Sequence, residues 1–451
     1  MSSYPNIKKL SEARFAALTF SRDPLAPFIS TEVEWYSDKD EIVLGTILFD
    51  EYDKDWAFVV LGRDEKALFR CIELNHSIDD IDDARQGLLN SININTISGN
   101  HVFPQGEIKK RKNLIFQPVV PEDKLNPHFK VLYSATGYSP AKEIITEIAY
   151  SYEDLDGNFI QQFQTTGFNS RIWELYLYAF LHEQLCYISE EDSSPDYICN
   201  KYGNEFCIEA VTVNPTQSNK TLLEDSDEDN ENKILNYYPI KYGSALFSKL
   251  KKKYWVLDHV KGKPLILAIH DFHENKRIME TSNAISLYLY GHLAKYHHDA
   301  DGTLKVSYDK IETHKWGDKE IPSGFFDLPD SENISCVLFS NSATPNKFNR
   351  MGKLAEFGEP SVVMIRIGTC YNPDRNAIQP LEFKENVKEG EYTETWGQGL
   401  EMFHNPNALY PIDPEVFPEI AHHIFEDGLV KSTLPDFHPM QSVTYIIVKE
   451  K

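Results

Sequence analysis

Cysteine is scarce in this sequence, and its spacing excludes two common uses. The six cysteines, Cys71, Cys186, Cys199, Cys207, Cys336 and Cys370, form no CxxC pair, and most fall in apolar strand-like or helix-end runs. They read as buried free thiols in a reducing compartment, ahead of zinc ligands or a disulfide framework. Long apolar runs are missing too. No stretch approaches the roughly 18 uninterrupted apolar residues of a membrane helix. The opening MSSYPNIKKLSEARF has neither an apolar core nor a small-residue cleavage site, so the expectation is a cytoplasmic protein with no membrane partner. Positive charge is in deficit. A formal net charge of −24 argues against coating nucleic acid by bulk electrostatics and leaves local basic patches as the route to it. There is no Walker loop, dinucleotide glycine pattern, serine nucleophile elbow or internal repeat.

Three regions of different character remain. Residues 1–140 read as a β-rich N-terminal domain, because EVEWYSDKD, EIVLGTILFD and WAFVVLGRD are short strand-like runs bounded by turn residues. DDIDDARQGLLNSI adds a short helix, and a Pro-rich connection follows. Residues 141–300 read as an α/β core. FNSRIWELYLYAFLHEQL is apolar on nearly every face and predicts a buried helix capped by Asn169 or Ser170. CYIS, PDYIC and EFCIEAVTV predict three strands, KYGSALFSKLKKKYWVLDHV a helix, and KPLILAIHDF a buried strand. SNAISLYLYGHL predicts one more helix. Residues 301–451 form a mixed α/β region with strands such as CVLFS and SVVMIRIG and no assignable topology. Between strand and helix lies LEDSDEDNENK (Leu223–Lys233). Its acidic spacing is that of a calcium loop without the required glycine, and the twelfth position from Asp225 is Asn236, so it reads as a solvated loop.

A carboxylate inside an apolar strand needs a reason. Glu209 sits among Phe206, Cys207, Ile208, Ala210 and Val211, and burial of an unpaired carboxylate costs several kcal/mol. Two companions fall nearby in the predicted order. Glu174 lies in the second turn of the apolar helix, and Asp196 opens the strand before a hairpin that would bring it beside Glu209. Magnesium takes oxygen ligands and keeps several waters, so one to three converging carboxylates suffice to hold it.

The helix glutamate, the Pro195-Asp196 pair and the strand Glu209 resemble the PD-(D/E)XK nuclease superfamily, which includes many restriction endonucleases. The resemblance covers roughly residues 165–275 and implies a restriction-endonuclease-like α-β-β-β-α-β core. It implies that Asp196 and Glu209 bind Mg²⁺ (or Mn²⁺), that Glu174 joins them, and that a lysine positions the attacking water. The chain departs from the pattern at one position. The superfamily's strand lysine would stand at 211, where this chain has Val211 on the same strand face as Glu209. Some members supply the lysine from the following helix, here rich in Lys241, Lys249, Lys251, Lys252 and Lys253. Lys249 is the preferred candidate, by its helical spacing from Leu246 and Leu250. The implied function is a metal-dependent nuclease, with DNA ahead of RNA as substrate and bacterial restriction or phage defence as a setting. A homodimer is implied by the need for two sites in cutting both strands, and a defence-complex partner by the restriction and phage-defence setting. The alternatives are a catalytically inactive nuclease-like module for binding or assembly and another metal-dependent hydrolase.

Other features read more plainly. HDFHEN (His270–Asn275) and KYHHDADG read as polar loops. SNSATPNKFNRMGKL (Ser340–Leu354) reads as a polar surface loop whose Lys347, Arg350 and Lys353 could contact phosphates while Phe348 stacks on a base. KKRK (Lys109–Lys112) is a solvated charge run or a second backbone contact. TWGQG (Thr395–Gly399) suggests no mechanism.

Overall fold

Residues 4–106, 114–215, 231–272, 278–388 and 392–450 are described by the computed structural model of the chain. The alternating runs near the N-terminus form an antiparallel meander. After β1 (Ile7–Leu10), α1 (Glu12–Leu18) and α2 (Ala26–Ile29) come β2 (Ser30–Asp38), β3 (Val43–Asp50), β4 (Trp56–Arg63) and β5 (Phe69–Ile78), paired in sequence order. Then α3 (Ile81–Ile97), capped by the Asp80 side chain on Asp82 N–H, lays Ala84, Leu88 and Ile92 on Ile47, Phe58 and Val60. Gly45 permits this close approach, since a Cβ there would come within 2.4 Å of Leu88 Cδ1. The N-terminal third is β-rich, as its alternation predicts.

Three helices, α4 (Pro127–Ser134), α5 (Ser139–Ser151) and α6 (Phe159–Gln164), lead to α7 (Phe168–Glu183). This helix is buried without interruption from Ile172 to Leu181, as its all-round apolarity predicts. Its N-cap is Gly167, not Asn169 or Ser170. Those two side chains bond instead to Asn214 (2.5 Å) and Thr212 (3.2 Å) and tie the start of the helix to the sheet. The next elements are β6 (Tyr187–Ile188), β7 (Tyr197–Lys201), β8 (Asn204–Val213), α8 (Tyr238–Leu250) and β9 (Leu265–Asp271). Strands β6 to β8 are antiparallel, whereas β8 and β9 are parallel, with α8 on the crossover between them. The helix–three strands–helix–strand order is the one the sequence predicts.

The rest of the chain comprises α9 (Ile278–Tyr290), β10 (His292–His298), β11 (Leu304–Lys310), β12 (Thr313–Trp316), β13 (Lys319–Pro322), β14 (Cys336–Ser340), α10 (Pro345–Leu354), β15 (Val362–Cys370), β16 (Leu381–Asn386), β17 (Glu401–His404), β18 (Ala421–Glu426), β19 (Leu429–Thr433) and β20 (Pro439–Val448). Strands β14, β17, β18 and β19 extend the central sheet to eight, in the order β19-β18-β17-β14-β9-β8-β7-β6. Strands β16, β15 and β20 make a separate three-stranded sheet. The chain is mixed α/β with several sheets. Apolar layers cover both faces of the central sheet. Phe206 and Ile208 of β8 pack on the α7 side, and Cys207, Val211 and Val213 pack on the α8 side. Strand β9 is buried along its whole length, as a strand covered on both faces must be.

The stretch Ser340–Leu354 is not a surface loop. It contains the end of β14 and α10, and Lys347 and Arg350 are buried. Lys347 Nζ donates to Glu394 Oε1 (2.7 Å) and Thr395 O (2.6 Å), and Arg350 grips both Glu394 oxygens at 2.8 Å. Arg366 Nη1 lies 3.5 Å from the same carboxylate. These cations hold Glu394 well below the usual carboxylate range despite its burial, and burial pushes Lys347 down to about 8. The composition looked polar because the charges neutralise one another inside the protein. TWGQG thereby gains a structural role. The Glu183 carboxylate, at the end of α7, accepts Trp396 N–H (2.7 Å) and Gly397 N–H (3.0 Å) and fixes this loop to the helix. KKRK, His273 and all of the acidic segment before Glu231 lie outside the described residues.

Candidate functional site

Strand register brings two of the expected carboxylates together. Tyr197 pairs with Ile208 across β7 and β8, so one further step along that register sets Asp196 opposite Glu209. Asp196 Oδ2 accepts the N–H of Ala210 at 2.7 Å. Two contacts hold the approach to Asp196: Tyr197 donates its hydroxyl to Glu174 O on α7 (2.6 Å), and His259 Nε2 lies 2.7 Å from Ser194 O.

Glu209 is buried and points, with Cys207 and Val211, to the α8 side of the sheet. Its Oε1 is ion-paired with Lys249 Nζ and accepts the Tyr254 hydroxyl at 2.5 Å. Among the candidate lysines, Lys249 is the one that reaches this carboxylate. Lys251 lies over Phe247, Lys252 over Tyr254, and Lys253 pairs with Asp330 at 2.8 Å. Burial and the nearby Glu209 carboxylate push the Tyr254 phenol far above its ordinary range, so it stays a hydrogen-bond donor.

Glu174 is buried on α7. Arg171, one helical turn earlier, donates to its Oε2 at 2.5 Å, and the Tyr152 hydroxyl stands 3.4 Å from the same oxygen. Burial outweighs these partners and raises the Glu174 pKa. Asp196 opens onto solvent through a cleft, yet protein atoms crowd its carboxyl. This crowding, with the negative charges of Glu209 and Glu174, pushes its pKa up to about 7, against the pull of the Ala210 N–H and Lys249. Each of the other three sequence-predicted residues therefore acts on the charge of Asp196.

Val211, where the resemblance would place a lysine, is buried in the apolar cluster beneath α8 with Leu246 and Leu250. Tyr254, Arg171 and Tyr152 were not anticipated from sequence. Arg171 had a usable signal, because residues three apart on a helix face one another. Tyr254 had none, since it meets Glu209 only through the turn after α8. His270 is fully buried and its Nε2 accepts Ala343 N–H at 2.9 Å, while Asp271 accepts the Tyr242 hydroxyl at 2.6 Å. Neither belongs to the carboxylate site.

The donor set consists of oxygens, which suits a hard divalent cation. The Glu209 carboxylate raises the Asp196 pKa by repulsion, so a cation between them fits this chemistry. Among the described residues there is no group of three or more His, Cys, Asp or Glu side chains arranged to hold a metal ion. Two carboxylates with waters completing the shell are the arrangement available. Compared with known protein families, curated proteins and solved structures, the chain matches none. No helix among the described residues is long and apolar enough to cross a membrane.

Proposed function

We propose that the chain is a divalent-metal-dependent nuclease with a restriction-endonuclease-like core, hydrolysing phosphodiester bonds in nucleic acid. The observation that carries this reading is the contact of Lys249 with Glu209, on the strand next to Asp196. It supplies from the following helix the cation missing at Val211. Asp196 and Glu209 would hold Mg²⁺ or Mn²⁺, with Glu174 adding negative charge from the neighbouring helix. The ion would supply polarisation of a phosphoryl oxygen and acidification of a water. The chain's own groups do the rest. Lys249 places a positive charge beside the reacting phosphate and orients Glu209. Tyr254 fixes Oε1 of Glu209, leaving Oε2 for the ion. Arg171 holds Glu174 and stands on the cleft wall, where a phosphate oxygen can reach it. A defence setting is consistent with this chemistry.

A second reading is an inactive nuclease-like module for binding or assembly, which Val211 and the lack of a three-carboxylate cluster among the described residues favour. Assays on DNA and RNA with Mg²⁺ or Mn²⁺ separate the two. The nuclease reading expects cleavage by the wild-type chain and its loss in Asp196→Ala, Glu209→Ala and Lys249→Met, with Lys251→Met active. If every substrate stays intact with folded wild-type protein, the module reading replaces it.

A further inference from the structure

A cleft of about 520 Å³ runs up to Asp196. One wall comes from the N-terminal region, with Arg22, Lys66 and Arg70, and the other from the sheet edge and residues 151–156. Its volume lies in the range that encloses one drug-sized ligand. A single nucleotide is a body of that size, whereas a continuous duplex needs a wider, open trough. At the sheet edge Tyr187 of β6, a residue 61% exposed, lines the cleft. An exposed ring on a groove wall is a platform for base stacking, which tolerates any sequence.

The cleft cations are already engaged. Arg22 stands 2.9 Å from Glu32, Lys66 3.0 Å from Glu153, Arg70 3.8 Å from Asp64 and Arg171 2.5 Å from Glu174. A phosphate that binds one of them must compete with a carboxylate, so little affinity is left to bulk attraction. Stacking and contact at Asp196 must carry more of it.

Resting on the nuclease reading, we propose that the cleft takes an unpaired strand of nucleic acid, one nucleotide at a time, with a base on Tyr187 and the adjoining phosphodiester at Asp196. The substrate is then a single strand, a flap or a frayed end, and intact duplex is excluded. Affinity falls only shallowly with salt, because few cations are released; neutralising two phosphates on a single strand corresponds to a slope of about −1.4 in log affinity against log salt.

The test measures binding and not cleavage. Fluorescence anisotropy of the full chain is followed with labelled single-stranded DNA, single-stranded RNA and duplex DNA of the same sequence, with Ca²⁺ replacing Mg²⁺. The expected result is single-strand binding at least about tenfold tighter than duplex binding, weakened about tenfold by Tyr187→Ala and retained by Tyr187→Phe. The two single strands identify which backbone is preferred. Equal or tighter duplex binding overturns the proposal, as does a Tyr187→Ala chain that binds like wild type. Single-strand binding without cleavage under Mg²⁺ supports this proposal while removing the nuclease reading. Duplex cleavage without single-strand binding does the reverse.

Discussion

Replacing Asp196 with asparagine should stabilise the metal-free protein, and more so at alkaline pH. The substitution keeps an oxygen that can accept the Ala210 N–H now bonded at 2.7 Å and removes only the charge. Crowding by protein atoms and by Glu209 and Glu174 raises the aspartate from 3.8 to about 7. Between those values the folded chain keeps a proton that the unfolded chain has released. Stability therefore falls as pH rises through this window, and the full penalty stands above about pH 7. At 1.36 kcal/mol per pKa unit the ceiling is about 4 kcal/mol. Asp196 faces solvent in the cleft, so screening reduces this to about 1–2 kcal/mol. Thermal denaturation in chelator at pH 8 and pH 5 reads the effect. Asp196→Asn should melt roughly 1–4 °C above wild type at pH 8, with a smaller gap at pH 5. A variant no more stable than wild type at pH 8, or one whose advantage grows at pH 5, would refute the idea that crowded like charges set this carboxyl. Millimolar Mg²⁺ should then raise the melting temperature of wild type more than that of the variant.

Glu394→Gln should cost about 3–5 kcal/mol in chemical denaturation, since it leaves Lys347, Arg350 and Arg366 buried around a neutral amide. Tyr254→Phe should keep the fold, lose about 1–2 kcal/mol of stability through the missing bond to buried Glu209, and lower any metal-dependent cleavage. Gly352→Ala should cost about 1–3 kcal/mol by overpacking, because its Cβ would come within 2.2 Å of the backbone oxygen of Pro140; full wild-type stability would contradict the packing of α10 on α5. Calorimetric Mg²⁺ titrations in buffers of different ionisation enthalpy should show proton release near pH 6, when Asp196 still holds its proton, and little at pH 8.

The local elements around the site were legible because each carries its own period. The all-round apolarity of α7 predicted burial, and the short apolar run of β9 predicted a strand covered on both faces. The hairpin between β7 and β8 could be read because Asp196 and Glu209 lie at equal distance on either side of the Tyr202-Gly203 turn. What could not be read was pairing across the chain. No local pattern announces that β14, β17, β18 and β19 join the strands of the middle third in one sheet. Lys347 and Arg350 misled for a related reason. Their partner Glu394 lies more than 40 residues away, so a neutralised internal cluster looked like a solvated loop.

Under the proposed nuclease reading, the move of the lysine from position 211 to the helix follows from the same competition between local and distant demands. Position 211 lies on the face of β8 that α8 covers, and Val211 is buried there beside Leu246. A lysine at 211 would carry its charge into that apolar layer, whereas Lys249 enters from the rim of the helix with its side chain still 22% exposed. The charge reaches Glu209 without disturbing the core. With all groups ionised, the carboxylates Glu174, Asp196 and Glu209 face the cations Arg171 and Lys249, leaving one negative charge in excess. Crowding by protein atoms, with that surplus added to it, keeps a proton on Asp196 near neutrality. Under the proposed metal-dependent reading, a divalent cation bound there would displace the proton, so the property that raises the aspartate pKa would also prepare the site for metal.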